Sequence, residues 1–220
     1  MSLQVQQPII YLITSGATNE QTTPASEAFT DILQLVSAAV AAKVTLIQLR
    51  EKLLTARVLF ELTTRAANIT RGTETRLLVN DRADIACGAG ADGVHLTEVS
   101  LHADVIRRGF GSNFLIGVST HSLDQARVAR ESQADFVVWG PVFETESKAI
   151  YGEPQGVTKL TAVTRELDPF PVVALGGLKL GNVTECAVAG AKGIAGISLF
   201  QNIGELPRTV STIRMSFKGR

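Results

Sequence analysis

Eight short apolar runs recur along the chain, each followed by a longer amphipathic stretch, and this alternation restricts the fold more than any other feature. The runs cover residues 9–14, 44–50, 77–81, 93–96, 115–120, 136–142, 172–176 and 193–198. They are rich in Val, Ile and Leu and lack clean polar alternation, the pattern of strands buried on both faces of a parallel sheet. Helical patterns fill the intervals at 27–42, 56–70, 82–91, 103–110, 123–134, 157–167 and 182–191, and 207–218 supplies an eighth. Ser122 followed three residues later by Gln125 reads as a capping-box helix start. Strict strand–helix alternation, eight times over, predicts an α/β fold of the closed (β/α)8 TIM-barrel type. The 220 residues, 45% of them hydrophobic, suit one large core, and such barrels typically need ~250 residues. A single domain over residues 1–220 is therefore expected.

A faint internal echo fits this reading. Gly90-Ala-Asp-Gly-Val, Gln133-Ala-Asp-Phe-Val and Gly190-Ala-Lys-Gly-Ile each join a helix end to a strand start, where a tight turn favours Gly or a small polar residue. The stretch 144–156 is long for a barrel loop, and such loops more often bind or cover a ligand than space elements.

Charge and cysteine content exclude several classes. Lys and Arg total 21 and so do Asp and Glu, so no global basic charge points to nucleic acid or an anionic membrane. Anions, if bound, must be held by a few local groups. No apolar run reaches the ~18–20 residues of a membrane span. The first eight residues lack a signal-peptide pattern, so a cytoplasmic protein is expected. Cys87 and Cys186 form no metal-type motif and read as buried reduced thiols.

In barrels of this kind the active site lies at the C-terminal ends of the strands. Along Gln48-Leu49-Arg50-Glu51-Lys52, alternation sends Gln48, Arg50 and Lys52 to one face. An amide, a guanidinium and an ammonium converging there suit a diphosphate; a rim salt bridge involving Arg50 and Glu51 is the structural alternative. Asp81, beside Asn80, could hold Mg2+ against the same diphosphate, or could merely cap the helix that follows. Gly176-Gly177 after the seventh run, with Ser198 after the eighth, occupy the usual phosphate position of this architecture. Thr145, Ser147 and Lys148 on the long loop offer a second clamp. His121 is either a proton shuttle or a hydrogen-bonded helix-start residue beside Ser122. His95 reads as a packed rim residue and His102 as a surface one.

Taken together, these segments resemble the thiamin phosphate synthase/thiazole tautomerase superfamily from Tyr11 to about Phe200. Gln48-Leu49-Arg50-Glu51-Lys52 is similar to its diphosphate-binding segment. Asn80-Asp81-Arg82-Ala83-Asp84, Gly90–His95, Gly117-Val-Ser-Thr-His121, Gly140–Phe143, Ala174–Gly177 and Ile197-Ser198 are similar to others of its segments. The resemblance implies condensation of hydroxymethylpyrimidine diphosphate with thiazole phosphate to give thiamin phosphate and diphosphate. It implies Gln48, Arg50, Lys52, Asn80, Ser119 and Lys148 around the pyrimidine diphosphate. Thr145, Ser147, Gly177, Ile197 and Ser198 would surround the thiazole phosphate, and Asp81 would bind Mg2+. Arg50, Lys52, Lys148 and His121 are the implied catalytic set. The implied partners are small phosphorylated heterocycles, with a second copy of the chain as a further candidate.

Two departures separate this chain from the synthase pattern. Ser100 stands where a second acidic Mg2+ ligand belongs, with Glu98 nearby as a substitute. Glu144-Thr-Glu-Ser-Lys148 replaces Pro-Thr-x-Thr-Lys. Val-Phe-Glu-Thr and Val-Ser-x-His-Ser lean toward the tautomerase branch, in which a histidine at position 121 would serve as general base. A non-catalytic binder of thiazole phosphate or thiamin phosphate is a third reading.

Overall fold

A computed structural model describes residues 8–145 and 153–218. Eight parallel strands close into a barrel in sequence order, β1 pairing with both β2 and β8. They are β1 Ile9–Ile13, β2 Leu46–Leu49, β3 Arg76–Asn80, β4 Gly93–Leu96, β5 Leu115–Thr120, β6 Phe136–Trp139, β7 Val172–Leu175 and β8 Gly193–Gly196. Around them lie α1 Glu27–Ala41, α2 Ala56–Thr70, α3 Ala83–Ala89, α4 Ala103–Phe110, α5 Leu123–Glu131, α6 Gly156–Leu167, α7 Val183–Val188 and α8 Leu206–Phe217. The expected (β/α)8 barrel is the architecture observed.

Alternation along each strand splits the apolar residues into two cores. Tyr11, Leu46, Leu78, Leu115, Phe136, Val138, Val173 and Ala195 fill the barrel, where Tyr11 and Phe136 meet edge-on with ring centroids 5.7 Å apart. Their strand neighbours, among them Leu12, Ile47, Val79, Ile116, Val137 and Ile194, pack outward against the helices. Both faces of every strand are thus buried, which is why the runs lack a polar face.

The internal echo has two physical sources. Gly90, Gln133 and Gly190 all take left-handed backbone, at φ 78°, 64° and 89°, to turn from helix to strand. In two of the three repeats the acid that follows stitches neighbouring strands at the barrel floor. Asp92 accepts from Leu77 N at 2.8 Å and Asp135 from Ile116 N at 2.7 Å, and each also pairs with an arginine, Arg76 or Arg107.

Several expected boundaries shift. Strand β6 ends at Trp139 rather than 142, because Pro141 has no N–H to extend the ladder. Strand β8 stops at Gly196 and the chain enters a 3-10 turn over Ser198–Phe200. The capping box at Ser122 is present in full, Ser122 accepting from Gln125 N and Gln125 reaching back to the Ser122 N–H. Cys186 is buried as expected, whereas Cys87 is exposed on α3.

Candidate functional site

Because all eight strands are parallel, their C-terminal ends open on one mouth, and most of the expected residues sit there. Gln48 lies inside at the top of β2, 2% exposed, and donates through Nε2 to Asn80 Oδ1 on β3 at 3.0 Å. Gln48 Oε1 is buried with no partner among the described residues. An unmatched buried acceptor is unfavourable by about 1–3 kcal/mol, so a ligand donor above it would be well received.

Arg50, half-buried just past β2, is held by its backbone N–H, which donates to Thr14 Oγ1 at 2.8 Å. Next to it Glu51 turns the opposite way, as alternation predicts, and is 2% exposed. Its carboxylate accepts from the Thr14 hydroxyl at 2.5 Å, the Thr18 hydroxyl at 2.6 Å, and the backbone N–H groups of Gly16 at 3.3 Å and Thr18 at 3.4 Å. Glu51 therefore clasps the β1–α1 loop against the end of β2. Glu51, one member of the rim salt bridge among Arg50, Glu51 and neighbouring loops, is thus engaged in this clasp. Nothing in the sequence local to Thr14 or Thr18 signals a partner more than thirty residues away. Lys52 falls in an exposed turn beyond β2, where strand alternation no longer fixes its direction.

Across the mouth, His95 and Ser119 rise from β4 and β5, with His95 Nε2 2.8 Å from Ser119 Oγ. His95 is not a rim residue but an interior one, 2% exposed between the rings of Tyr11 and Phe136. Burial, with a smaller contribution from the Arg50 charge, lowers its pKa from 6.5 to about 3, so the ring is neutral. Tyr11, fully buried below it, has its pKa pushed well above the usual value by desolvation. His121 donates from Nδ1 to the Gly140 carbonyl at 2.6 Å, and its backbone N–H donates to Gln125 Oε1 at 2.6 Å. The ring is thus tied to the β6 end while its backbone joins the capping box.

Asp81 is exposed at the end of β3, in left-handed backbone at φ 61°, with its N–H donating to the His95 carbonyl at 2.9 Å. It does not cap α3: the N-cap is Arg82, without a side-chain cap bond, and Arg82 pairs with Asp84 instead. Ser100 spends its hydroxyl locally, accepting from Thr97 N at 2.8 Å and lying 3.1 Å from Thr97 Oγ1. Among the described residues no group of three His, Cys, Asp or Glu side chains could cage a metal ion. Glu98, the substitute ligand, is exposed in the turn after β4, and Asp81 fits Mg2+ only when a phosphate-bearing ligand completes the ion's shell.

At the β6–β8 side the loop after β6 zips onto the end of β7, Val142 N donating to Leu175 O at 2.8 Å and Phe143 N to Gly176 O at 3.0 Å. Gly177 adopts φ 62°, and a Cβ there would lie 2.2 Å from the Glu144 carbonyl oxygen. A side chain at position 177 would therefore strike the β6 loop first, rather than simply fill an anion's space. Thr145 is half-buried on that loop, Ile197 is half-buried past β8, and Ser198 is exposed at the start of the 3-10 turn. Ser147 and Lys148 lie outside the described residues.

The mouth thus joins an amide pair, an arginine, a hydroxyl and the Asp81 carboxylate on one barrel rim, in the order expected from the motifs. Residues 11–200 match the thiamine monophosphate synthase family. The chain belongs to that family. Among thiamine monophosphate synthase relatives, one from Geobacter sulfurreducens, named provisionally as a thiamine-phosphate synthase, is 50% identical over 168 residues, covering 76% of this chain and 78% of its own. The thiamine-phosphate synthase of Moorella thermoacetica is 40% identical over 166 residues, covering 76% and 79%. The solved structure of the thiamine phosphate pyrophosphorylase from Pyrococcus furiosus superposes with a TM-score of 0.77 at 27% identity, over 94% of each chain. Membership in this family makes the chain an enzyme with a role in thiamin biosynthesis.

Proposed function

We propose that the protein is a thiamin phosphate synthase: it joins hydroxymethylpyrimidine diphosphate to thiazole phosphate, releasing diphosphate. The observation that carries this reading is the Gln48–Asn80 pair standing beside Arg50 on adjacent strand ends. A binder of thiazole phosphate alone has no use for that set.

The reaction asks for little acid–base chemistry. The CH2–O bond to diphosphate breaks, the leaving group takes the electron pair, and the thiazole nitrogen lone pair forms the new C–N bond. Rate then comes from holding two rings in line and from cationic stabilisation of the departing charge. Gln48, with an unmatched acceptor, would receive the exocyclic amine of the pyrimidine, while Asn80 keeps the amide oriented. Arg50, Lys52 and Lys148 would take the diphosphate. Thr145, Ser147, Gly177, Ile197 and Ser198 would take the thiazole phosphate. Asp81 would hold Mg2+, which supplies charge neutralisation to the diphosphate. Formation of thiamin phosphate from the two heterocycles and Mg2+ tests this reading.

One observation favours a second reading. His121 Nδ1 donates to the Gly140 carbonyl at 2.6 Å, so the ring is held in a fixed orientation by the end of β6, as a histidine that moves protons must be. A thiazole tautomerase would depend on His121 and be indifferent to Asp81 and Mg2+. The synthase reading expects the reverse.

A further inference from the structure

The His95 ring is buried, and the groups around it decide which of its nitrogens carries a proton. Nε2 is 2.8 Å from Ser119 Oγ, a hydroxyl that can either donate or accept. Nδ1 is buried and has no hydrogen-bond partner among the described residues. It faces the Cα of Gly117: a Cβ built on that glycine would lie 2.8 Å from Nδ1 and 2.3 Å from Cζ of Phe136. Nδ1 therefore abuts carbon. An N–H pointed there would be an orphaned buried donor, a rarer and costlier state than an under-used lone pair. A bare Nδ1 instead meets the Gly117 Cα–H groups, a weakly favourable contact.

The proton consequently belongs on Nε2, which donates to Ser119 Oγ. The serine oxygen accepts that bond, and its own proton is left to point elsewhere. Ser119 is half-buried at the mouth end of β5, and no acceptor for its proton is found among the described residues. We propose that His95 is a positioning residue that fixes Ser119 as a hydrogen-bond donor, so that Ser119 selects an acceptor atom of the bound diphosphate substrate. The identity of that ligand rests on the synthase reading; the tautomer does not. Gly117 belongs to the same device, since a side chain there would displace both His95 and Phe136.

Two measurements test this. The first is nitrogen NMR of the ligand-free wild-type protein labelled with 15N-histidine, the His95 signals being those absent from His95→Gln. The expected pattern has Nε2 protonated and Nδ1 bare; Nδ1 protonated with Nε2 bare overturns the proposal. The second is a titration of inorganic diphosphate with Mg2+ into wild type, Ser119→Ala, His95→Leu and the double variant. Ser119→Ala and His95→Leu should each weaken binding by roughly three- to tenfold, and His95→Leu should add nothing once Ser119 is alanine. Losses that multiply in the double variant overturn the proposal. His95→Gln, which can still donate, should recover most of the affinity lost in His95→Leu; no recovery counts against a donor role. Should His95→Leu fail to fold, the wild-type spectrum still decides. Neither measurement needs turnover, so a protein that makes no thiamin phosphate would sink the synthase reading while leaving the tautomer result standing.

Discussion

Acid should destabilise this barrel through His95, by an amount that can be worked out. On acidification the unfolded chain binds a proton at His95 near pH 6.5, while the folded chain resists until about pH 3. The depressed pKa therefore contributes stability that is fully present above pH 6.5 and is lost progressively as pH falls toward 3. At about 1.36 kcal/mol per unit, the loss is about 2 kcal/mol at pH 5 and about 5 kcal/mol below pH 3. Urea unfolding of wild type and His95→Gln near pH 7.5 and near pH 5 isolates this, since glutamine does not titrate. The stability lost by wild type between the two conditions should exceed that lost by the variant by about 2 kcal/mol. Equal losses would mean that His95 protonates as easily in the fold as out of it, and the interior placement of the ring would be wrong.

Three further substitutions probe the mouth. Glu51→Ala strips the acceptor from four donors of the β1–α1 loop and should destabilise the protein by about 3–5 kcal/mol by thermal or urea unfolding, with weaker diphosphate binding as Arg50 loosens. Gly177→Ala should cost thiazole phosphate affinity and stability together, since the methyl meets the Glu144 carbonyl before it meets any ligand. Affinity lost with an unchanged melting temperature would refute that order. Asp81→Asn should nearly abolish coupling at any Mg2+ concentration, whereas Ser100→Asp should lower the Mg2+ needed for half-maximal coupling by restoring a carboxylate. An unchanged Mg2+ dependence in both would remove Asp81 from the metal site.

The fold was legible because burial on both strand faces leaves a sequence mark: Val, Ile and Leu runs without alternation, repeated eight times at regular intervals. The rim was legible wherever a strand runs straight into its motif, as at Gln48, Asn80 and Ser119, since alternation alone places those side chains inside. It stopped being legible where the strand stops. Lys52 and Asp81 lie past the last ladder residues of β2 and β3, and a left-handed turn at Asp81 has no pattern in the flanking residues. Partnerships across the barrel were hidden for a different reason. The Glu51 clasp joins residues 33 to 37 positions apart, and the His95–Ser119 bond spans 24. Only closure of the barrel brings them together. The echo at Asp92 and Asp135 was visible as a repeat, but its role in stitching strand starts appears only in the hydrogen bonds.

Product analysis decides whether this mouth couples two phosphorylated heterocycles. The purified chain is incubated with hydroxymethylpyrimidine diphosphate, thiazole phosphate and Mg2+, and separately with the thiazole tautomer alone. Thiamin phosphate and diphosphate should form in equal amounts in the first reaction, with none formed when Mg2+ is chelated. Conversion of the tautomer without Mg2+, and no thiamin phosphate in the first reaction, would contradict it.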